Sequence, residues 1–97
     1  MIHVMLERQI APGLESTYDR LARETLRDAF QASGFINGEA FSDINHPNRR
    51  IIISKWRSIQ DWQRWHQSDA RRDLMNKLSP VMMEPESVRI MEHLAAQ

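Results

Sequence analysis

The sequence predicts an α+β fold, the ferredoxin-like βαββαβ arrangement, in which an antiparallel sheet carries its helices on one face. The spacing of apolar residues changes along the chain from the two-residue period of strands to the helical period and back. The segments follow the order strand, helix, strand, strand, helix, strand. The run Ile51-Ile52-Ile53 places aliphatic side chains on both faces of one strand, which favours a central position in the sheet.

The first half of the sequence contains a strand, a helix and a second strand. Residues 2–10 alternate between apolar and more polar side chains, and Pro12 ends this strand. Residues 14–32 carry apolar side chains at helical spacing between charged ones. Gly34 supplies the left-handed backbone that commonly follows a helix, and the second strand is predicted for residues 35–44.

A turn and a return strand follow. The sequence NHPNRR, residues 45–50, predicts a turn because asparagine and proline both favour turn conformations of the backbone. The return strand is predicted for residues 50–56 and contains the three isoleucines, so we expect it to be covered on both faces.

Two helical stretches and a strand complete the chain. Ser58 is predicted to cap a helix over residues 59–67 through its hydroxyl oxygen. Asp69 is predicted to cap a further helical stretch, which ends before Pro80 because proline disfavours helix in the residue that precedes it. Residues 87–94 alternate again and form the last predicted strand.

Composition and charge narrow the classes of function. The 97 residues fit one domain, residues 1–97, and the 13 basic and 13 acidic side chains cancel, which argues against nucleic-acid or membrane partners. The chain has no cysteine, so disulfides, thiolate zinc sites and thiol nucleophiles are excluded. Since no apolar run is long enough for a membrane span, a cytoplasmic protein is expected.

The predicted sheet implies a homodimer. Helices in a βαββαβ unit cover one face, while the isoleucines at 51–53 require apolar cover on the other face as well. Because the chain supplies no further element, we expect a second copy to pack its own sheet there and form a two-subunit α+β barrel.

All three tryptophans fall between residues 56 and 65. Trp56 ends a buried strand, and we interpret it as part of the core. Trp62, Trp65 and His66 share one helical face, which is expected to point inward. Periodicity leaves open whether this face meets packed core or a cavity, although the three rings are bulky enough to frame a flat ligand. Trp65 is the stronger candidate for a ligand contact.

Three short motifs, together with the helix that follows the last of them, are distributed over nearly the whole chain. They are APG at residues 11–13, GF at 34–35, and WRS at 56–58, which opens the helix carrying Trp65 and Ser68. In order and spacing they resemble the antibiotic biosynthesis monooxygenase (ABM) domains of the dimeric α+β barrel superfamily. The resemblance implies a homodimer and a cofactor-independent monooxygenase that acts on an aromatic or quinol-like small molecule, in an apolar pocket between sheet and helices.

Branches of this family differ in their catalytic residues, and the sequence matches none of them fully. The haem-degrading branch implies an iron-ligating histidine at the position of Met75 and an asparagine at that of Leu6 or Glu7, so haem degradation is disfavoured. The quinol-oxidising and autoinducer-processing branches carry histidines at the positions of Trp65 and Ala70. The alternative is therefore a non-catalytic small-ligand-binding or regulatory barrel.

A cofactorless oxygenase implies a small set of roles: an apolar cavity, a base that ionises the substrate and a donor that stabilises the resulting anion. We predict His66 or His3 as the base and Arg71 as the anion partner. No cofactor and no metal is expected. The predicted substrate-binding residues are Trp65, Trp62, Met5 and Met75.

Overall fold

The computed structural model of the protein describes residues 1–94 and confirms the predicted α+β, ferredoxin-like fold. In chain order the elements are β1 (Ile2–Gln9), α1 (Glu15–Phe30), β2 (Phe35–Asp43), β3 (His46–Trp56), α2 (Ile59–His66), α3 (Asp69–Leu78), a short 3-10 helix (Ser79–Val81) and β4 (Ser87–Glu92). The strands form one antiparallel sheet in the order β2-β3-β1-β4. No helix within the described residues has the length and apolar character needed to cross a membrane.

Strand β3 lies inside the sheet, as its run of isoleucines predicted. Ile52 faces Leu6 of β1 on one side and Ala40 of β2 on the other. Leu6 packs beneath the helices, so we call this side of the sheet the helix face. Ile51 and Ile53 project from the opposite side, which we call the open face, and both are only partly buried there.

The hairpin between β2 and β3 differs from its prediction. The turn predicted over residues 45–50 is wrong, because the chain reverses at residues 44–45. The Asp43 carboxylate accepts a hydrogen bond from the backbone N–H two residues on, at 2.9 Å, which stabilises this tighter turn. Asn48 belongs to β3 because its carbonyl accepts from the Ile10 N–H at 2.7 Å and its side chain donates to the Ile10 carbonyl at 3.2 Å. Pairing with a distant strand overrides the local turn preference.

The helix starts are fixed by serine side chains. Ser58 caps α2 as predicted, with its Oγ accepting from the backbone N–H of Asp61 at 3.2 Å. The cap of α3 is Ser68 and not the predicted Asp69, because Ser68 has extended backbone and its Oγ accepts from the N–H of Arg71 at 3.2 Å. Helix α1 and strand β4 each end two residues before their predicted limits.

Two apolar clusters lie between the helix face and the helices. Their fully buried members are Val4, Leu6, Trp56 and Trp62 in one cluster, and Ile10, Tyr18, Leu74, Leu78 and Val81 in the other. Arg8 lies between them, because the alternation of β1 turns its side chain toward the helix face, where it is 5% exposed. A charged group buried between apolar clusters requires partners, and its partners define the site.

Candidate functional site

A cavity of about 420 Å³ lies between the helix face of the sheet and the helices. Small side chains leave this space unfilled: Gly38 and Ala40 on β2 line one wall, and Ala22 and Ala29 on α1 line another. Ile52 contributes apolar surface to the floor. The volume suits a small organic molecule.

Aromatic side chains form part of the cavity wall. Trp56 is 1% exposed, and its Nε1–H donates to the Ser54 Oγ at 2.9 Å. Trp62 meets Trp56 edge to face, with ring centroids 5.6 Å apart. All three indoles line the cavity, and Trp65 is the one that remains partly exposed. An indole that is not fully enclosed by protein has surface available to a ligand.

Two buried arginines and a phenol form a polar part of the cavity wall. Arg8, Tyr18 and Arg71 line the cavity and are each at most 5% exposed. Arg8 donates from Nε to Oε2 of Glu86 at 2.8 Å, and Arg71 donates from Nη2 to Oε1 of the same carboxylate. Arg8 also donates from Nη1 to the Tyr18 Oη at 2.9 Å. Two guanidinium groups therefore share one carboxylate.

The surroundings shift the pKa values of the two guanidinium groups in opposite directions. Burial lowers the pKa of Arg8, but the Tyr18 phenol and the Glu86 carboxylate outweigh burial, so this pKa is raised overall. Burial also lowers the pKa of Arg71, and here Glu86 does not offset burial and the charge of Arg8, so this pKa is lowered. Arginine keeps its proton at neutral pH in both positions. The two arginines and one glutamate thus hold one net positive charge.

A further ion pair lies along the cavity wall. Arg50 donates from Nε and Nη2 to the two carboxylate oxygens of Asp19, at 3.0 and 3.2 Å. This bidentate contact balances the charges of both partners. Arg23, which is exposed, also lines the cavity. Four of the five charged residues that line the cavity are therefore arginines.

His66 and Met75 lie on the other side of Arg71, in a separate groove of about 680 Å³. His66 stacks on Trp62 with ring centroids 5.1 Å apart, yet it is exposed because α2 ends there, so the predicted inward orientation is wrong. Desolvation lowers the His66 pKa and the charge of Arg71 lowers it further, against the opposing effect of Glu86. We call this the methionine groove, lined by His66, Arg71, Met75, Met82, Met83 and Glu86.

His3 and Met5 project from the open face of β1 and do not line the cavity. His3 lies beside His93, with ring centroids 6.1 Å apart. Within residues 1–94, no group of three or more His, Cys, Asp or Glu side chains is arranged to hold a metal ion. The predicted site residues that the structure brings together around the cavity are Trp62, Trp65 and Arg71.

Sequence reasoning missed Arg8, Tyr18 and Glu86. A signal existed for Arg8, since it occupies a core-facing position in β1 between Leu6 and Ile10. Tyr18 lies in the apolar stripe of α1, where a buried phenol requires a hydrogen-bond partner. No local pattern marks Glu86, which lies in a loop 78 residues from Arg8.

Solved structures share this fold. A crystal structure of an antibiotic biosynthesis monooxygenase is 17% identical, matches 98% of this chain and 100% of its own, and has a TM-score of 0.87. A candidate antibiotic biosynthesis monooxygenase from Bordetella bronchiseptica is 16% identical over 97% of each chain, with a TM-score of 0.89. A protein of unknown function from Nitrosomonas europaea is 18% identical, covers 99% of this chain and 91% of its own, and has a TM-score of 0.84. At these identities the likeness establishes the fold alone.

The sequence itself carries a family signature. None of the curated proteins matches the sequence of this chain. The family model described as antibiotic biosynthesis monooxygenase matches residues 1–77, which span β1 through almost all of α3. Because this match covers most of the sequence, the chain belongs to the antibiotic biosynthesis monooxygenase family.

Proposed function

We propose that the protein is a cofactor-independent monooxygenase that oxidises an aromatic or quinol-like small molecule in the cavity between sheet and helices. The observation that carries the proposal is that one cavity is lined both by the indoles of Trp62 and Trp65 and by the buried guanidinium groups of Arg8 and Arg71. The indoles suit a flat ring, and the guanidinium groups suit the oxyanion that forms when a phenol loses its proton.

The chemistry requires little beyond this arrangement. A phenol or quinol that ionises becomes electron-rich enough to reduce molecular oxygen directly. One oxygen atom is then inserted at a ring carbon and the other leaves as water, with the substrate supplying all the electrons. The buried charges of Arg8 and Arg71 favour ionisation, since nearby positive charge lowers the pKa of an acidic group.

A proton acceptor is the remaining requirement. His66 is our proposed base. It lies in the methionine groove, which shares Arg71 with the cavity, and its lowered pKa favours the neutral imidazole that can accept a proton. His3 faces the open side of the sheet and would serve only a ligand bound there.

A non-catalytic ligand-binding or regulatory barrel is the second candidate function. The observation that favours it is that no histidine among residues 1–94 lines the cavity. Haem degradation remains disfavoured, and adding hemin and recording the Soret band tests it. A saturable shift of that band would reopen this third possibility.

The proposed assembly is a homodimer joined through the open faces of two sheets. Ile51 and Ile53 lie at the centre of that face and are only partly buried, and Phe41 beside them is 45% exposed. Apolar surface in the middle of a sheet is stabilised by cover, and a second copy supplies a matching face. The result is a dimeric α+β barrel.

Oxygen uptake with a panel of quinols and naphthols tests the monooxygenase. We expect consumption above the protein-free rate for the wild type, a reduced rate for Trp65→Phe and His66→Ala, and an unchanged rate for His46→Ala, an exposed histidine at the hairpin. If no compound raises oxygen uptake, the monooxygenase is wrong. Saturable binding of the same compounds would then favour the ligand-binding barrel.

A further inference from the structure

We infer that the ligand of the cavity is an organic monoanion, a flat apolar ring system with one oxyanion group seated against Arg71 and Tyr18. The oxyanion is a carboxylate or an ionised phenol. The inference rests on the proposed function because it names the substrate class of the same cavity, and its test is independent of oxygen chemistry.

The first support is the balance of buried charge. Arg50 is neutralised by Asp19, but among residues 1–94 Arg8 and Arg71 share only Glu86 as an acidic partner, so these three side chains carry one excess positive charge. The chain as a whole has a net charge of zero, which means that the excess is local to the cavity. A buried charge without an opposite charge is costly, and a bound anion removes that cost.

The second support is the supply of hydrogen-bond donors. A guanidinium group has five N–H donors, and within the described residues Arg71 directs one nitrogen, Nη2, to Glu86. The Tyr18 oxygen accepts from Arg8, and within residues 1–94 its own O–H donates to no other group, so it can donate to a ligand. Donors from a planar fork and a phenol match the lone pairs of a carboxylate or phenolate. Arg8 is a positioning residue, since it orients both Tyr18 and Glu86.

The third support is the shape of the remaining space. The partly exposed Trp65 offers aromatic surface on the cavity wall, and Ile52 and Leu26 add aliphatic surface. A volume of about 420 Å³ accommodates a molecule of two fused rings. Neutral and cationic ligands of the same size would leave the positive charge uncompensated.

Calorimetric titration with three naphthalenes of similar shape tests the charge preference. We use 2-naphthoate, the neutral 2-naphthalenemethanol and the cationic 2-naphthylmethylammonium. We expect 2-naphthoate to bind at least about tenfold more tightly than the alcohol, which is the effect of one charge-assisted hydrogen bond, and the cation to bind most weakly. Equal affinities for the three compounds would overturn the inference. A parallel titration with 2-naphthol at rising pH tests the phenolate form, since an oxyanion site should bind the naphthol more tightly as it ionises.

Two variants locate the anion. Arg71→Gln is expected to abolish the preference for 2-naphthoate, whereas the control Arg72→Gln, an exposed neighbour paired with Asp69, keeps it. Glu86→Gln removes the competing carboxylate and should strengthen 2-naphthoate binding several-fold while leaving the alcohol unchanged. A purely structural role for Glu86 predicts weaker binding of both compounds, and that result would also overturn the inference. If Arg71→Gln fails to fold, titration of the wild type with the three naphthalenes and titration of Glu86→Gln still test the inference.

The outcomes separate this inference from the proposed function. Oxygen uptake with naphthols, combined with no preference for 2-naphthoate, would reject the anion site and keep the monooxygenase. A strong preference for 2-naphthoate without oxygen uptake would reject the monooxygenase and keep an anion-binding cavity.

Discussion

Trp62 and His66 lie face to face across one turn of α2, with ring centroids 5.1 Å apart and ring planes inclined by 29°. The Arg71 guanidinium lies 5.8 Å from the centroid of the same indole. One buried tryptophan therefore contacts both an imidazole and a permanent cation. The two groups repel one another when His66 is protonated, which links the stability of this corner of the fold to pH.

The free energy of unfolding should fall as the pH drops below 6.5 because of His66. Desolvation, and then the charge of Arg71, lower the His66 pKa from 6.5, its value in the unfolded chain, so the unfolded state binds the proton more readily. The contribution of neutral His66 to the free energy of unfolding is complete above pH 6.5. It is lost as the pH falls from 6.5 to the lower pKa of the folded state. Urea unfolding at several pH values measures this dependence. The free energy of unfolding should change less steeply with pH in His66→Gln than in the wild type.

The control for this prediction is His46→Gln, which removes an exposed histidine from the hairpin. This variant is expected to keep the wild-type dependence of the free energy of unfolding on pH. An equal flattening in both variants would contradict the assignment of the pH dependence to His66.

The tryptophans that line the cavity should differ in their effect on stability. Trp56→Phe removes the donor to the Ser54 hydroxyl and leaves a void in the core, so we expect a loss of about 1–3 kcal/mol. Trp65→Phe changes a partly exposed side chain on the cavity wall and should cost less than about 1 kcal/mol. Denaturant titrations measure both. A loss for Trp65→Phe as large as that for Trp56→Phe would mean that Trp65 is core.

The fold could be predicted from the sequence because local patterns encode it. The alternation in β1 and the three isoleucines of β3 follow directly from side-chain burial, so both strands, and the central position of β3, were predictable. The hairpin was not, because Asn48 is held by Ile10, a partner 38 residues away. The buried pair of arginines depends on a loop glutamate that contacts Arg8 only in the folded chain. Periodicity shows on which face of a strand or helix a side chain lies, but not which distant residue it contacts.

Gly34 and Gly13 provide a matched test that separates backbone strain from steric conflict of an added Cβ. Both have positive φ, +84° and +87°, so alanine at either position adopts a left-handed conformation that costs roughly 1–2 kcal/mol. At Gly13 the added Cβ meets nothing within 4 Å. At Gly34 it would overlap the Asp61 side chain, which also accepts a hydrogen bond from the Ser58 hydroxyl at the start of α2.

Gly34→Ala should therefore lower the midpoint of thermal unfolding clearly more than Gly13→Ala, because it adds a steric conflict to the same backbone strain. Circular dichroism at rising temperature measures the two midpoints. Equal shifts would show that Asp61 moves aside at little cost and that α2 does not depend on its position.

The open face of the sheet should control the oligomeric state. Ile53→Asp places a carboxylate at the centre of that face, where it can remain hydrated in a single copy but would be desolvated between two copies. Sedimentation at micromolar concentration should therefore give a dimer for the wild type and a folded particle near 11.4 kDa for this variant. Ile44→Asp is the control, since Ile44 is 94% exposed at the hairpin turn and its substitution should preserve the dimer. A folded wild-type protein that sediments at 11.4 kDa would show that the sheet needs no second copy, and the barrel would then be wrong.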